Sequence, residues 1–278
     1  MNLIIQSARN LAATHLDRLA GLTTATRIEQ ITENSFRLHD AKPHDAVAAV
    51  CQEHQLDYSF VRPSQRLSDF GLVVMDMDST LIAIECIDEI ADMYNLKPQV
   101  SAITESAMRG EIDFSESLRR RVALLAGLEE SALQRVYEQR LRLNPGAEIM
   151  LDKLQELGIK TLLVSGGFVF FTERLKQRLA IDYAHANTLE IVHGKLTGKV
   201  LGNILDAQSK ANSLVATRNQ LGLKPDQVIA MGDGANDLKM MAQAGVSIAY
   251  HAKPVVRAQA KAQLNHCDLS ALICASHF

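Results

Sequence analysis

Gly71-Leu72-Val73-Val74-Met75 carries no polar side chain and runs directly into Asp76-Met77-Asp78-Ser79-Thr80. A strand that is apolar on both faces needs cover on both. A parallel sheet between two helical layers supplies that cover, and an antiparallel sheet with one wet face does not. The design recurs. Lys160–Val164 leads into Ser165-Gly166-Gly167, and Gln227–Met231 into Gly232-Asp233-Gly234-Ala235-Asn236-Asp237, while Val246–Ala249 reads as a fourth strand. Helices are expected between them, as at Ala147–Leu157 and Leu238–Ala244. The fold class is therefore α/β, a doubly wound parallel sheet. In such sheets ligands bind outside the carboxyl ends of the strands, where all three polar loops would meet.

Each loop alone has a plain structural reading. Asp76-x-Asp78 suits a helix N-terminus, whose positive end favours acids. Ser165-Gly166-Gly167 suits a glycine turn, and Gly232–Asp237 a turn followed by an Asx cap. Lys210, in the polar stretch Asp206–Asn212 before a helix, reads as solvated. Jointly these readings are poor. Three successive strands end in loops that together offer carboxylates for a hard cation such as Mg²⁺, and a hydroxyl, backbone amides and an ammonium for a phosphate.

More than eighty residues separate the first two strands, far more than a crossover needs, and most read as helix. This surplus, at about 84–142, is expected to be a helical cap over the sheet's carboxyl edge within a domain spanning 67–278. Residues 1–66 read as a separate small α+β unit. Leu3-Ile4-Ile5, Arg27–Thr32, Ser35–Leu38 and Tyr58–Val61 are expected strands, and helices are expected around Ala12–Leu22 and Ala46–Cys51. The order β-α-β-β-α-β is ferredoxin-like, and Arg62–Arg66 reads as a linker. No catalytic motif lies in this unit, so a chain starting near Ser68 is expected to fold and act alone.

Composition narrows the class. A net charge of −3 gives no basic stripe for nucleic acid. No window approaches the ~20 apolar residues of a membrane span, and the N-terminus lacks the charged region of a signal peptide. Cys51, Cys86, Cys267 and Cys274 lack ligand spacing and read as buried thiols. A cytoplasmic protein is expected, with a small-molecule substrate and neither nucleic acid nor membrane as partner. The sequence is compatible with a homodimer and fixes no oligomeric state.

Asp76-x-Asp78-Ser79-Thr80, Val164-Ser165-Gly166-Gly167, Lys210 and Gly232-Asp233-Gly234-x-Asn236-Asp237 together resemble the haloacid dehalogenase superfamily of phosphotransferases. Glu85-Cys86-Ile87-Asp88-Glu89, Met108-Arg109-Gly110-Glu111, Phe114, Ser117–Val122 and Asn187-Thr188-Leu189-Glu190 narrow the resemblance to its phosphoserine phosphatases. The match runs from about Gly71 to Asp268. The N-terminal unit lies outside it and is similar to the small ACT-like domains of some members. The resemblance implies Asp76 as nucleophile and Asp78 as general acid and base. It implies Mg²⁺ held by the Asp76 carboxylate, the Asp78 backbone carbonyl and Asp233, and phosphate held by Ser165, Gly166 and Lys210. Asn236 would contact substrate or phosphate, and Asp237 would orient Lys210 or a metal-bound water.

Substrate choice should lie in the cap. On a helical wheel over Ser115–Leu125, Leu118, Val122 and Leu125 form one apolar stripe, with Arg121 beside it and Arg119 and Arg120 well outside. An inward arginine needs an anion, and a substrate carboxylate would serve; pairing with a buried Asp or Glu, or snorkelling to solvent, is the structural alternative. Glu85, at the start of the first cap helix, would suit a substrate ammonium, and its structural alternative is a helix-dipole acid. Met108 and Phe114 would wall the site. Without the resemblance, the residues indicate a phosphate monoester carrying other charges. The resemblance implies hydrolysis of O-phospho-L-serine to serine and phosphate, the last step of serine biosynthesis. Alternatives are the same chemistry on another small phosphomonoester or with another acceptor, and a catalytically silent metabolite sensor. A metal-dependent nucleotide-sugar transferase would leave Lys210 and Gly232–Asp237 without a purpose.

Overall fold

The structure, a computed structural model, describes residues 1–275. The chain opens with β1 (Asn2–Ser7), α1 (Ala13–Thr23), β2 (Arg27–Thr32), β3 (Ser35–His39), α2 (Ala46–Glu53) and β4 (Leu56–Val61). The four strands form an antiparallel sheet in the order β2-β3-β1-β4. Alternation along β1 splits its side chains between two faces. Leu3 and Ile5 join Leu16, Leu19, Val47 and Val50 in a core under the two helices.

The other face of β1 is buried too, with Asn2, Ile4 and Gln6 at 5%, 0% and 3% exposure. It lies against the end of the chain, where the Gln6 side-chain amide donates to the Ala271 carbonyl at 2.8 Å. On β4, the buried Asp57 carboxylate accepts three consecutive backbone N–H groups, from Asn265 (2.7 Å), His266 (3.0 Å) and Cys267 (2.8 Å). A charged acceptor serving three amides is a strong clamp, so the small unit is fastened to the rest of the molecule rather than tethered by its linker.

The remainder runs β5 (Leu72–Met75), α3 (Cys86–Met93), α4 (Lys97–Met108), α5 (Phe114–Ala123), α6 (Ser131–Gln139), α7 (Ala147–Glu156), β6 (Lys160–Phe168), α8 (Val169–Arg178), β7 (Tyr183–Val192), β8 (Lys195–Leu201), α9 (Ala207–Gln220), β9 (Val228–Gly232), α10 (Leu238–Met241), β10 (Val246–Tyr250), α11 (Pro254–Arg257), β11 (Ala262–Leu264) and α12 (Ala271–Ala275). Its sheet has the order β11-β10-β9-β5-β6-β7-β8 and is parallel except for the β7–β8 pair. All four residues of β5 are fully buried. Val73 and Met75 belong to one apolar cluster, Leu72 and Val74 to a second on the opposite face. This is the two-sided burial that the uninterrupted apolar run requires. Each such side chain contributes about 1.5–3 kcal/mol. β5 pairs with β6 on one side and β9 on the other. The chain therefore reverses its winding at β5, and the crevice at such a switch point is where α/β sheets bind ligands.

Three features differ from the sequence expectations. β6 does not stop at Val164 but continues through Ser165-Gly166-Gly167 to Phe168, which pairs with Asn187 beyond a register irregularity. Lys210 lies within the first turn of α9, not ahead of it, because Asp206 caps that helix by accepting the Ser209 N–H at 2.8 Å. The β7–β8 hairpin was not expected; it turns at His193 and Gly194, both with positive φ. Cys51, Cys86 and Cys267 are buried, and the Cys274 side chain lies outside the described residues. Among the described residues, no helix is long and apolar enough to cross a membrane.

Candidate active site

Asp76 follows β5 directly, and its backbone N–H still bonds to Met231 across the sheet at 3.1 Å. The chain then folds back sharply. The N–H groups of Thr80, Leu81 and Ile82 all point at the Met77 carbonyl (2.9–3.3 Å), and Ser79 is forced to φ 56°. A non-glycine residue in that region stores strain, which this turn holds in place. The reversal sends Asp78 toward the N-terminus of α3, where its Oδ1 accepts the Cys86 N–H at 2.9 Å. Its Oδ2 receives the Ser165 hydroxyl at 3.3 Å, and the Ser165 Oγ accepts the Gly167 N–H at 2.8 Å. A Cβ on Gly167 would come within 2.8 Å of Asp78 Oδ2, so any larger residue there would displace the Asp78 carboxylate.

The Asp76 carboxylate is 5% exposed as a residue and has both oxygens occupied. Oδ1 accepts the Met77 N–H at 2.7 Å, and Oδ2 faces the Lys210 ammonium at 2.7 Å. Lys210 also donates to Asp237 Oδ1 at 2.8 Å, while Asp237 Oδ2 accepts the Gly234 N–H at 3.0 Å. Burial of Lys210 would favour its neutral form, but Asp237 and Asp76 outweigh that and hold its pKa above the ordinary value. Burial, then the charge of Asp237, pushes the Asp76 carboxyl well above the usual range against the pull of Lys210. Burial also raises Asp78, opposed by the bonds from Cys86. Asp233 accepts the Thr80 hydroxyl at 3.2 Å and is pushed up to about 6 by burial and by Asp237.

Oxygens of Asp76, Asp233 and Asp237 lie within 4.8 Å of one another. Like charges packed so closely favour a cation among them. Hard carboxylate donors at this spacing fit a small divalent ion. Asp76 and Asp233 line the cavity above this cluster, whereas Asp237 lies buried behind its wall, which leaves Asp76 and Asp233 as the better-placed ligands.

A cavity of about 310 Å³ opens over these groups. Asp76, Asp78, Asp233 and Asn236 line it from the sheet edge, Glu85, Met108, Phe114 and Arg121 from the cap helices, and Gly166 from β6. Ser165, Lys210 and Asp237, at 0–1% exposure, stand behind the wall and reach it through Asp78 and Asp76. On α5, Arg121 turns toward the cavity with its Nε on the Ser117 carbonyl at 3.4 Å. Arg119 and Arg120 are exposed, and Arg120 pairs with Glu116 at 2.7 Å. Burial lowers the Arg121 pKa, countered by Asp88 and Glu85. Glu85, at the N-cap of α3, accepts the Ser79 hydroxyl at 2.9 Å. Enclosure by protein, then Asp78, lifts its carboxyl to about 7, although water still reaches the side chain. The Phe114 ring packs on Gly166, where a Cβ would approach Cζ to 2.8 Å. Met108 stands 72% exposed at the cavity mouth.

Sequence reasoning missed several supporting groups. Thr80 lies inside a motif without a role of its own, and Gly167 enters only as a backbone amide of the anion nest. Asn187 donates to the Gly166 carbonyl at 2.8 Å and accepts the Leu205 N–H at 2.7 Å, fastening β6 from the neighbouring strand. Lys253 lines the cavity from the loop after β10. That loop could have been found by treating the fourth strand's carboxyl end like the other three.

Comparison with known proteins agrees with this geometry. Residues 70–245 match the model of the haloacid dehalogenase-like hydrolases, and residues 3–47 a domain family of unknown function. The chain is 54% identical over 216 residues to a phosphoserine phosphatase of Polaromonas sp., covering 76% of this chain and 92% of that one. A probable phosphoserine phosphatase from Vibrio cholerae, in its unliganded form, superimposes with a TM-score of 0.87 at 38% identity, covering 99% of this chain and 85% of the other. A substrate-bound phosphoserine phosphatase complex gives a TM-score of 0.69 at 36% identity, over 73% of this chain and 97% of the other. The chain is thus a haloacid dehalogenase-like hydrolase. Within that superfamily the chain belongs to the phosphoserine phosphatases.

Proposed function

We propose that the chain hydrolyses O-phospho-L-serine to L-serine and phosphate in the cytoplasm, through a phosphoryl group carried on Asp76. The observation that carries this reading is a single cavity with the Asp76 and Asp78 carboxylates on its floor and an acid and a base, Glu85 and Arg121, on its cap side. A zwitterionic amino acid bearing a phosphate carries charge complementary to Arg121 and Glu85, while Lys210 and a bound cation would offset the carboxylates of the floor. Arg121 would take the carboxylate, Glu85 the ammonium, and the floor the phosphoryl group. Asn236 and the Gly166 N–H would contact the phosphate or the substrate beside it.

The division of labour follows from the hydrogen bonds. Lys210 holds one oxygen of Asp76 and the Met77 N–H the other, which orients the carboxylate for in-line attack on phosphorus. Asp78 carries a raised pKa, and a carboxyl that retains a proton suits a general acid. It would protonate the departing serine oxygen and then take a proton from the water that releases phosphate from Asp76. Splitting one displacement into two is the gain from a covalent intermediate. Mg²⁺, held by the carboxylates of Asp76 and Asp233 and the backbone carbonyl of Asp78, would offset the charge between nucleophile and phosphate. Asp237 holds Lys210 in place. Phe114 on Gly166 excludes water from one side, and a bound substrate would cover Met108.

Phosphate release from L-phosphoserine, measured with Mg²⁺ and with excess chelator, tests the reading. Turnover that needs Mg²⁺ is expected. Full activity in chelator, or none on phosphoserine beside good activity on other phosphomonoesters, would overturn it.

A further inference from the structure

Without Mg²⁺ the side-chain charges around the cavity do not balance; with it they come out even, and an arriving phosphate dianion then adds further negative charge. Five carboxylates meet there or directly behind it: Asp76, Asp78, Glu85, Asp233 and Asp237. Three cations face them: Lys210, Arg121 and Lys253. Lys210 is committed, since its ammonium lies between Asp76 and Asp237 at 2.7 and 2.8 Å with 1% exposure. Arg121 sits on the cap face, where the proposed substrate carboxylate would bind. Lys253 remains. It is exposed and lines the same cavity beside Asp233 and Asn236, and among the described residues its ammonium has no ion pair or hydrogen bond.

Its backbone is nonetheless fixed. The Lys253 N–H donates to the Asp233 carbonyl at 3.0 Å, and the residue caps α11, with Pro254 holding the first turn. The root of the side chain is therefore tied to the loop that carries a candidate metal ligand, while the charged end stays free. An ammonium on a fixed root, with no ion pair or hydrogen bond among the described residues and its charge felt at Asp233, stands at the mouth of a site that must admit a dianion and suits a mobile anion rather than a structural partner. We propose that Lys253 is a substrate-binding residue that draws the phosphate dianion past the surrounding carboxylates and holds it at the mouth before transfer and again before release. This rests on the phosphatase reading above and adds a fourth strand's loop to its phosphate site.

The role is electrostatic, and its signature differs from that of a structural residue. Lys253→Met keeps the backbone bond to Asp233, so the loop remains anchored. Rim charges act chiefly on association and on salt dependence. The kcat/KM for phosphoserine at low ionic strength should fall about tenfold, with kcat changed far less. The difference from wild type should shrink as salt screens the site. Inorganic phosphate, titrated by calorimetry in the presence of Mg²⁺, should bind about tenfold more weakly. Half-saturation by Mg²⁺ should stay the same or tighten, because a positive charge near Asp233 has been removed. Lys253→Arg should restore most of kcat/KM. Lys42→Met, on the exposed surface of the small N-terminal unit, makes the same change in net charge and should match wild type.

Unchanged phosphate affinity and salt dependence in Lys253→Met would overturn the proposal. So would a joint loss of Mg²⁺ and phosphate binding that Lys253→Arg does not rescue, because that pattern marks a structural role. If the wild type turns over no phosphoserine, the functional reading fails instead, and phosphate binding alone then decides the role of Lys253.

Discussion

Arg121→Ala separates recognition of the substrate's amino-acid end from the chemistry at its phosphate. The Arg121 guanidinium makes one hydrogen bond, from Nε to Ser117, and among the described residues no carboxylate lies within ion-pair distance of it. Its remaining donors are available to a ligand in the cavity that it lines. Removing one partner of a buried charged pair costs about 2–5 kcal/mol. Arg121 is only half-buried, so the lower part of that range applies, about 2–3 kcal/mol or roughly 30- to 160-fold in kcat/KM. Phosphoethanolamine keeps the phosphate and the ammonium but lacks the carboxylate, and should be nearly indifferent to the change. Arg120 is one position away on the outer face, paired with Glu116 in solvent. Such pairs contribute about 0.3–0.5 kcal/mol, so Arg120→Ala should be close to silent. The assay is steady-state phosphate release from both substrates for the three proteins. Equal losses on both substrates, or a larger effect at Arg120, would refute the assignment of Arg121 to the carboxylate.

Other consequences follow from the same geometry. Lys210→Met leaves two buried carboxylates facing each other and should destabilise the fold by about 3–5 kcal/mol near neutral pH. Because the folded-state pKa of Asp76 lies above its unfolded value, part of that loss should return as the pH falls through the folded pKa; pH-independent urea unfolding would contradict this. Asp233, at about 6 in the free protein, must be ionised to hold a cation. Mg²⁺ affinity by calorimetry should therefore weaken as the pH drops through about 6, and a flat profile would remove Asp233 from the ligand set. Asp57→Ala strips three backbone N–H groups of their acceptor and should cost about 3 kcal/mol or more in urea unfolding. A chain beginning at Ser68 should lose at least as much. Asp78→Asn should slow transfer from phosphoserine by about 10²–10⁴-fold and from a nitrophenyl phosphate much less, since a nitrophenolate leaves without a proton. Equal slowing would reduce Asp78 to a metal-binding role.

The core was legible where one signal dominated. An apolar run such as Leu72–Met75 has no alternative to two-sided burial, and the loops after β5, β6 and β9 inherit their meeting place from the sheet. The wheel over Ser115–Leu125 places Arg121 on the cavity side, as the structure does, because α5 is regular and its Leu118–Val122 stripe is buried. The polar run around Lys210 concealed a helix start, since Gln208, Ser209 and Asn212 blur the apolar period of α9. The β7–β8 hairpin mixes exposed and buried residues irregularly, with a register shift between Leu189 and Ile191, so no alternation announced it. The Asp57 clamp joins residues more than 200 positions apart and left no local trace. Lys253 escaped notice because a lone lysine gains meaning only when its neighbours' charges are counted in space.

The central claim, that Asp76 carries the phosphoryl group, is tested most directly by rapid quench of a single turnover. Protein in excess over phosphoserine labelled in its phosphate is mixed with Mg²⁺, stopped in acid and digested, and the label is located by mass spectrometry. The account predicts transient, base-labile label on the peptide containing Asp76, appearing before free phosphate and absent in Asp76→Asn. Release of phosphate from the wild type with no protein-bound label at any time, or label on any residue other than Asp76, would contradict it.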